Sequence, residues 1–321
     1  MCEPEEMNLS ISTHWNAGRH DCGEAMVDEI LALGFNQIEL GYNLHDYHLP
    51  GLRRALNEHK VTVSSVHNYC PVPPGISNGH PEIYTLGDHR KSVRQKAISQ
   101  TAETIRFAAE CGAGIVVMHL GNVRMRNYSR KLSSFIKAGK RYTDRYDRIK
   151  MKAVLKREKK VTPQIPWVIE GLQELAGIAQ MHGVVLGFEI LPTWEAIPND
   201  QEITQLIRTL NHPHIQYWHD TGHGQIREEL GFANHLARLR EHLPHLAGMH
   251  IHDVKGQLAD HHMPPGGKIH FKELIKSMPK DCLFVLEPSS SLPSEKVVRG
   301  RTVFSEIWHQ IWHHSESDVE R

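Results

Sequence analysis

Short runs of apolar residues recur along the chain, separated by longer stretches in which apolar positions return every three or four residues. The short runs predict strands over residues 8–13, 36–40, 61–67, 114–119, 184–190, 215–220, 246–252 and 282–287. Most are rich in Val, Ile and Leu with little polar alternation, as expected of parallel strands covered on both faces. The longer stretches predict helices over 25–33, 52–59, 89–111, 166–182, 200–210, 228–242, 272–277 and 300–313. Gly34, Gly112 and Gly183 stand just past three of these, and Pro166 opens another, which is where helices tolerate those residues best. Eight strand–helix repeats predict an α/β chain closed as a (β/α)8 TIM barrel, a single domain over 1–321, rather than an open doubly wound sheet.

Two stretches break the rhythm. Residues 71–87 follow the third strand, contain Pro-Val-Pro-Pro-Gly and predict a long loop over one mouth of the barrel. Residues 124–160 follow strand 4 and hold 15 Lys or Arg against 3 Asp or Glu, a local charge of +12. They predict a basic helical insertion over about 122–162, either a solvated face or a lid that meets an anionic substrate. Residues 314–321 read as a polar tail.

Composition narrows the function classes. With 40% hydrophobic residues among 321, the chain can bury a large core. Lys plus Arg and Asp plus Glu both number 37, so the net charge is zero and the rest of the chain offsets the insertion with −12. That balance argues against whole-surface attraction to nucleic acid or anionic lipid. No apolar run approaches the roughly 18 residues of a membrane span, and no membrane partner is expected. The acidic start, Met1 to Glu6, has no apolar segment of the signal-peptide kind, and Cys2, Cys22, Cys70, Cys111 and Cys282 form no CxxC pair. A cytoplasmic protein with reduced thiols is expected. The 25 histidines are the unusual entry, and point to metal or acid–base chemistry.

In such a barrel the site lies at the C-terminal ends of the strands. The predicted strands end at or near His67, His119, Glu189, Asp220, His250 or His252, and Glu287. Six converging His, Asp and Glu residues are costly to bury without a common partner, and a metal ion is the natural one. Glu189 and Glu287 each end an apolar strand, and two glutamates on opposite sides of one ion can remove and return a proton at a carbon next to a carbonyl. Asp220-Thr221-Gly222-His223 places a second pair at the sixth strand end. His250 and His252 share a strand face, so one can bind metal while the other supports it or packs. Asp260-His261-His262 follows in the next loop, where an Asp-x-His pair can chelate a further ion. No P-loop and no Gly-x-Ser-x-Gly elbow is present.

These residues, in this strand order, resemble the xylose isomerase-like barrel superfamily, which joins sugar isomerases and epimerases with nucleases of the endonuclease IV type. The resemblance runs from about residue 8 to about residue 313, apart from the basic insertion. It implies a divalent metal held by Glu189, Asp220, a seventh-strand His and Glu287, with His223 as a further ligand or a contact to the substrate carbonyl. The endonuclease IV type resembles this chain at His67, His119, Glu189, Asp220, His223, His250, Asp260, His262 and Glu287, positions that hold three zinc ions in that family, and this favours His250 over His252. The nuclease motif carries Gly-Glu-Gly after its Asp-x-His pair, whereas this chain reads Pro264-Pro265-Gly266-Gly267-Lys268. The ketose 3-epimerases carry an Arg soon after the seventh-strand His, whereas this chain has Lys255 and Gln257.

Two readings follow. The first is a metal-dependent isomerase or epimerase of a sugar or sugar derivative. Glu189, Glu287 and His223 would be its catalytic groups, passing a proton through an enediolate. Its substrate contacts would be His67, His119, His252 and Lys255. The second is an endonuclease IV-like zinc phosphodiesterase with two or three metals, the only reading in which nucleic acid is a partner. The neutral charge and the missing Gly-Glu-Gly turn favour the first. One to three ions of zinc, manganese or cobalt are expected, and barrel enzymes of this sort commonly pair into homo-oligomers.

Overall fold

The computed structural model describes residues 7–312, so the acidic start, Cys2 and the polar tail lie outside it. Eight parallel strands form the barrel: β1 (Leu9–Ser12), β2 (Gln37–Leu40), β3 (Thr62–His67), β4 (Ile115–Met118), β5 (Val185–Glu189), β6 (Ile215–Asp220), β7 (Leu246–Ile251) and β8 (Phe284–Leu286). They pair in chain order, and β1 closes the ring by pairing with both β2 and β8. Each lies inside a run that the apolar pattern predicts. Their outward faces pack under the helices in one large apolar core. Inside the ring, Val117, Trp218, Leu283 and Val285 form a separate cluster. Trp218 fits because its neighbours in the ring include glycines: a Cβ on Gly248 would lie 2.6 Å from its indole.

Helices α1 (Gly23–Ala32), α2 (Leu49–Asn57) and α3 (Lys91–Glu110) follow the first three strands. The fourth strand is followed by α4 (Tyr128–Lys137), α5 (Asp144–Val161) and α6 (Gln164–His182). Then come α7 (Asp200–Leu210), α8 (Thr221–Glu229), α9 (His235–His242), α10 (Phe271–Ile275) and α11 (Ser294–Trp312). The ends follow local chemistry. Gly183 stops α6 in the left-handed region at φ 67°, and Asn199 with Glu202 forms a capping box at the start of α7.

The single helix expected over 228–242 is two helices. Gly231 at φ 74° breaks the turn after α8, and the Asn234 side chain caps α9 through the Ala237 N–H. Helix α8 also begins seven residues earlier than expected, directly on Asp220, whose carboxylate accepts the His223 N–H at 2.7 Å.

The basic insertion is α4 and α5, and it is anchored. Leu132 and Tyr146 pack with Ile226, Leu230 and Val254 in a small core of their own. Arg157, 1% exposed, donates to the backbone carbonyls of Trp194 and Ala196 and to the Glu202 carboxylate. Two short antiparallel ribbons ring the same mouth, Gly121–Asn122 with Ala196–Ile197 and Asp253–Lys255 with Ala259–His262. Among the described residues, no helix is long and apolar enough to cross a membrane.

Candidate metal centre and its cavity

The strand ends meet around one imidazole. His250, fully buried near the end of β7, has its Nδ1 3.3 Å from Glu189, 3.5 Å from Glu287 and 3.7 Å from Asp220. Its Nε2 faces both oxygens of Glu39 at 3.1 and 3.2 Å. The ring stacks on His67 with centroids 5.7 Å apart and meets Trp218 edge-on at 5.0 Å, so the apolar plug of the barrel is also the floor of the site.

Glu189 is the hub. One oxygen faces His223 Nδ1 and His250 Nδ1, both at 3.3 Å, and the other lies 3.0 Å from His119 Nε2 and 3.3 Å from His67 Nε2. His67 spends its Nδ1–H on the Asn68 carbonyl at 3.1 Å, so its second nitrogen is the one turned to Glu189. His223 likewise has its Nδ1 on the Ile190 carbonyl at 2.9 Å.

Four carboxylates, Glu39, Glu189, Asp220 and Glu287, are thus at most 4% exposed and within reach of one ring. Among the described residues, neither Lys nor Arg lines the cavity above them. Buried carboxylates need a compensating positive charge, and here it can come only from protonated histidines or a bound cation. In the metal-free protein the histidines carry it. Burial opposes charge on His250, but the carboxylates of Glu287, Glu39 and Glu189 outweigh it and hold its pKa well above the usual value. His223 rises to about 9, against burial, under the pull of Asp220 and Glu189. In return Glu189 is held well below the ordinary carboxylate range despite its burial, by His250 and by bonds from His119 and His223. Asp220 and Glu287 are also lowered against burial, by His223 and His252 and by His250 and His261 respectively. A divalent ion would replace those protons, and a mixed carboxylate–imidazole set suits zinc, manganese or cobalt. Among the groups of donor atoms within 4.8 Å of one another here, two do not involve His252: Glu189, Asp220 and His250, and His67, His119 and Glu189.

His252 is placed differently from His250. Its Nδ1 accepts the backbone N–H of His261 at 2.9 Å, so its proton is on Nε2, which donates to Asp220 at 2.9 Å. Both nitrogens are occupied, and the ring acts as a support for Asp220. His223, His252 and His261, and likewise Asp220, His252 and Glu287, lie close enough to share an ion, but with both nitrogens bonded His252 has no lone pair to offer either set. His250, with Nδ1 turned to three carboxylates, is the seventh-strand residue with a nitrogen to offer.

Above the centre opens a cavity of about 500 Å³. His80 and Glu82 of the 71–87 loop line it, as do His67, His119, His223 and Glu287. Lys255 does not line it. Asp260 and His262 stand apart from both donor sets. Side chains alternate along the Ala259–His262 strand, and the residue turned to the site is His261, stacked on His252 at 4.1 Å and bonded through Nδ1 to the Glu287 carbonyl. The charged groups acting on His262 are Lys255, Lys296, Asp260 and Asp253.

The sequence matches the model of the xylose isomerase-like TIM barrel family over residues 27–300. The chain belongs to that family. No curated protein matches it. Among solved structures, this xylose isomerase-like barrel is similar to an L-ribulose 3-epimerase, with TM-score 0.70 and 15% identity over 97% of each chain. It is similar to a 3-keto-D-glucoside 4-epimerase from E. coli, with TM-score 0.68 and 16% identity over 94% of this chain and 100% of that one. It is also similar to the IOLI protein with a bound zinc atom, with TM-score 0.65 and 10% identity over 95% and 99% of the two chains. At these identities the likeness is one of fold.

Four residues of this xylose isomerase-like site were not singled out from the sequence. Glu39 sits one residue before the end of the strand Gln37-Ile38-Glu39-Leu40, as a charged residue between two apolar ones. Tyr42 and Glu195 stand on loops, where periodicity carries no information, and His261 stands on a four-residue ribbon strand too short to show a period. Glu195, 6% exposed, accepts the N–H groups of Tyr128 and Ser129 at the start of α4 through Oε1, while its Oε2 is buried without a partner. Both Tyr42 and Glu195 line the cavity.

Proposed function

We propose that this barrel is a divalent-metal-dependent isomerase or epimerase of a sugar or sugar derivative. The observation that carries the proposal is the pairing of Glu189 and Glu287: both line one cavity, both face the same His250 nitrogen, and both are held ionised. Glu189, Asp220, His250 and Glu287 would hold the ion. When bound, it supplies Lewis-acid polarisation of a carbonyl and of the neighbouring oxygen.

The chain's own groups do the rest. An ionised carboxylate near a carbon acid is a general base, and its protonated form can return the proton from the other face. Glu189 and Glu287 fill those two roles. His223 lines the cavity, and with its Nδ1 on the Ile190 carbonyl its Nε2 is the nitrogen left for a substrate oxygen. The free Oε2 of Glu195 is an acceptor for a hydroxyl. The 71–87 loop and the residues before α4 form part of the cavity wall. The similar structures include an L-ribulose 3-epimerase and a 3-keto-D-glucoside 4-epimerase, and that reaction class suits two carboxylates over one polarised carbonyl.

The second donor set, His67, His119 and Glu189, favours a second reading, a zinc phosphodiesterase with two or more metals. Elemental analysis of protein purified without chelator separates the two. About one ion per chain, with loss of the α-proton signal of a ketose or keto-glycoside in D2O, supports the isomerase. Two or three zinc ions with cleavage of an aryl phosphodiester would replace it by the second reading. No divalent ion bound after reconstitution would overturn both.

A further inference from the structure

Glu39 lies outside every donor set above, yet its carboxylate is as fully enclosed as that of Asp220. It is 0% exposed, on a strand whose register against β3 shifts between Ile38 and Glu39, so that Glu39 pairs with Ser65. Such a shift re-aims a side chain. Here the side chain receives the Ser65 hydroxyl at 2.8 Å and has both oxygens on His250 Nε2 at 3.1 and 3.2 Å. Ser64 in turn donates to the Ser10 hydroxyl at 2.8 Å, so a polar seam crosses β1 and β3 beneath the site.

His67 and Trp218 already confine the His250 ring to one slot. They do not decide which nitrogen carries the proton. We propose that Glu39 is a positioning residue for the metal centre: by accepting the Nε2–H of His250 it leaves the Nδ1 lone pair toward Glu189, Asp220 and Glu287. This rests on the reading of those four residues as a metal site. A carboxylate behind a ligating histidine fixes its tautomer and raises its basicity, and loss of such a partner costs about 10–100-fold in metal affinity. Ser65 would hold the carboxylate in turn.

The test is titration of the full-length, metal-free protein with Co2+, followed by visible absorption, for wild type, Glu39→Gln, Glu39→Ala and Ser65→Ala. Thermal midpoints of the metal-free proteins are measured alongside. The expected result is a Kd raised about 10–100-fold in Glu39→Ala with shifted cobalt bands. Glu39→Gln, which keeps an acceptor and loses the charge, should fall between. A role in packing alone would move the thermal midpoint and leave Kd and bands unchanged, and that result overturns the proposal. If Glu39→Ala does not fold, the near-isosteric Gln carries the same comparison: a weaker Kd with shifted bands supports the assignment, and wild-type values overturn it. Wild type failing to take up Co2+ would overturn the metal centre itself, whereas wild type binding as tightly as the Glu39 variants overturns the Glu39 assignment alone.

Discussion

Replacing Arg157 by Met should destabilise the chain by about 3–5 kcal/mol, the usual cost of removing one partner from a buried ion pair. Arg157 is 1% exposed, and its partner Glu202 is 6% exposed. The guanidinium grips the Glu202 carboxylate with two nitrogens, one at 2.8 Å, and serves the carbonyls of Trp194 and Ala196. Met fills much of the volume but donates nothing. Glu202 would keep only the Asn199 N–H of its capping box at 2.8 Å, a charge almost out of water with one bond. Against a total stability of about 5–15 kcal/mol, this is a large fraction. The assay is urea unfolding followed by fluorescence and circular dichroism, with ΔΔG taken from the midpoint at constant slope. The double variant Arg157→Met/Glu202→Gln, which removes the stranded charge as well, should cost at least about 2 kcal/mol less than the sum of the singles. A single-variant cost below about 1 kcal/mol, or an additive double, would show that the insertion is not tied to the barrel through this pair.

Three further outcomes are expected. Burial first, against Asp220 and Asp200, pushes His235 down to about 4 from 6.5. Its contribution to stability is therefore complete above pH 6.5 and is lost as pH falls toward 4; at about 3 kcal/mol it should show as a pH slope of unfolding free energy that flattens in His235→Gln. Gly222→Ala would drive a Cβ into the His252 ring and through it disturb Asp220; a loss of about 1–3 kcal/mol and a weaker divalent-ion Kd by calorimetry are expected. Phe304→Ala should cost about 3–5 kcal/mol in the same urea assay, because Phe304 is fully buried edge-on to Phe271 and Phe284 where α11 covers the barrel.

Most strands were legible because they are buried on both faces, so that Val, Ile and Leu dominate them with little alternation; Leu9-Ser10-Ile11-Ser12 and Gln37-Ile38-Glu39-Leu40 do alternate. The strand-end residues Glu189, Asp220, His250 and Glu287 were legible for the same reason: a charged group stands out where everything before it is apolar. Glu39 does not meet that criterion, because Gln37 precedes it in Gln37-Ile38-Glu39-Leu40 and the strand ends on Leu40. The loop residues were not legible. Asp260 and His262 fit a ligand spacing, yet it is the ribbon's geometry that turns His261 inward. Helix α8 was hidden because Thr221-Gly222-His223-Gly224 is poor helix sequence; it forms because Asp220 caps it and because its first residues are buried against the site. Arg157 reads as one more cation in a basic run, and only tertiary packing distinguishes it.

The pairing of β1 with β8 ties Leu9 to Phe284 and Ile11 to Leu286. On a nascent chain, seven strands are already available before β8 leaves the ribosome, and the incomplete sheet presents bare edges at β1 and β7. Contacts so far apart in sequence form slowly. Glu287 is the residue after β8 and is fixed through its N–H to the Ile251 carbonyl at 3.1 Å. The last seam to close therefore delivers the last carboxylate. A partly assembled barrel has an open edge and an incomplete site, so closing the last seam covers the edge strands and completes the carboxylate cluster in one step.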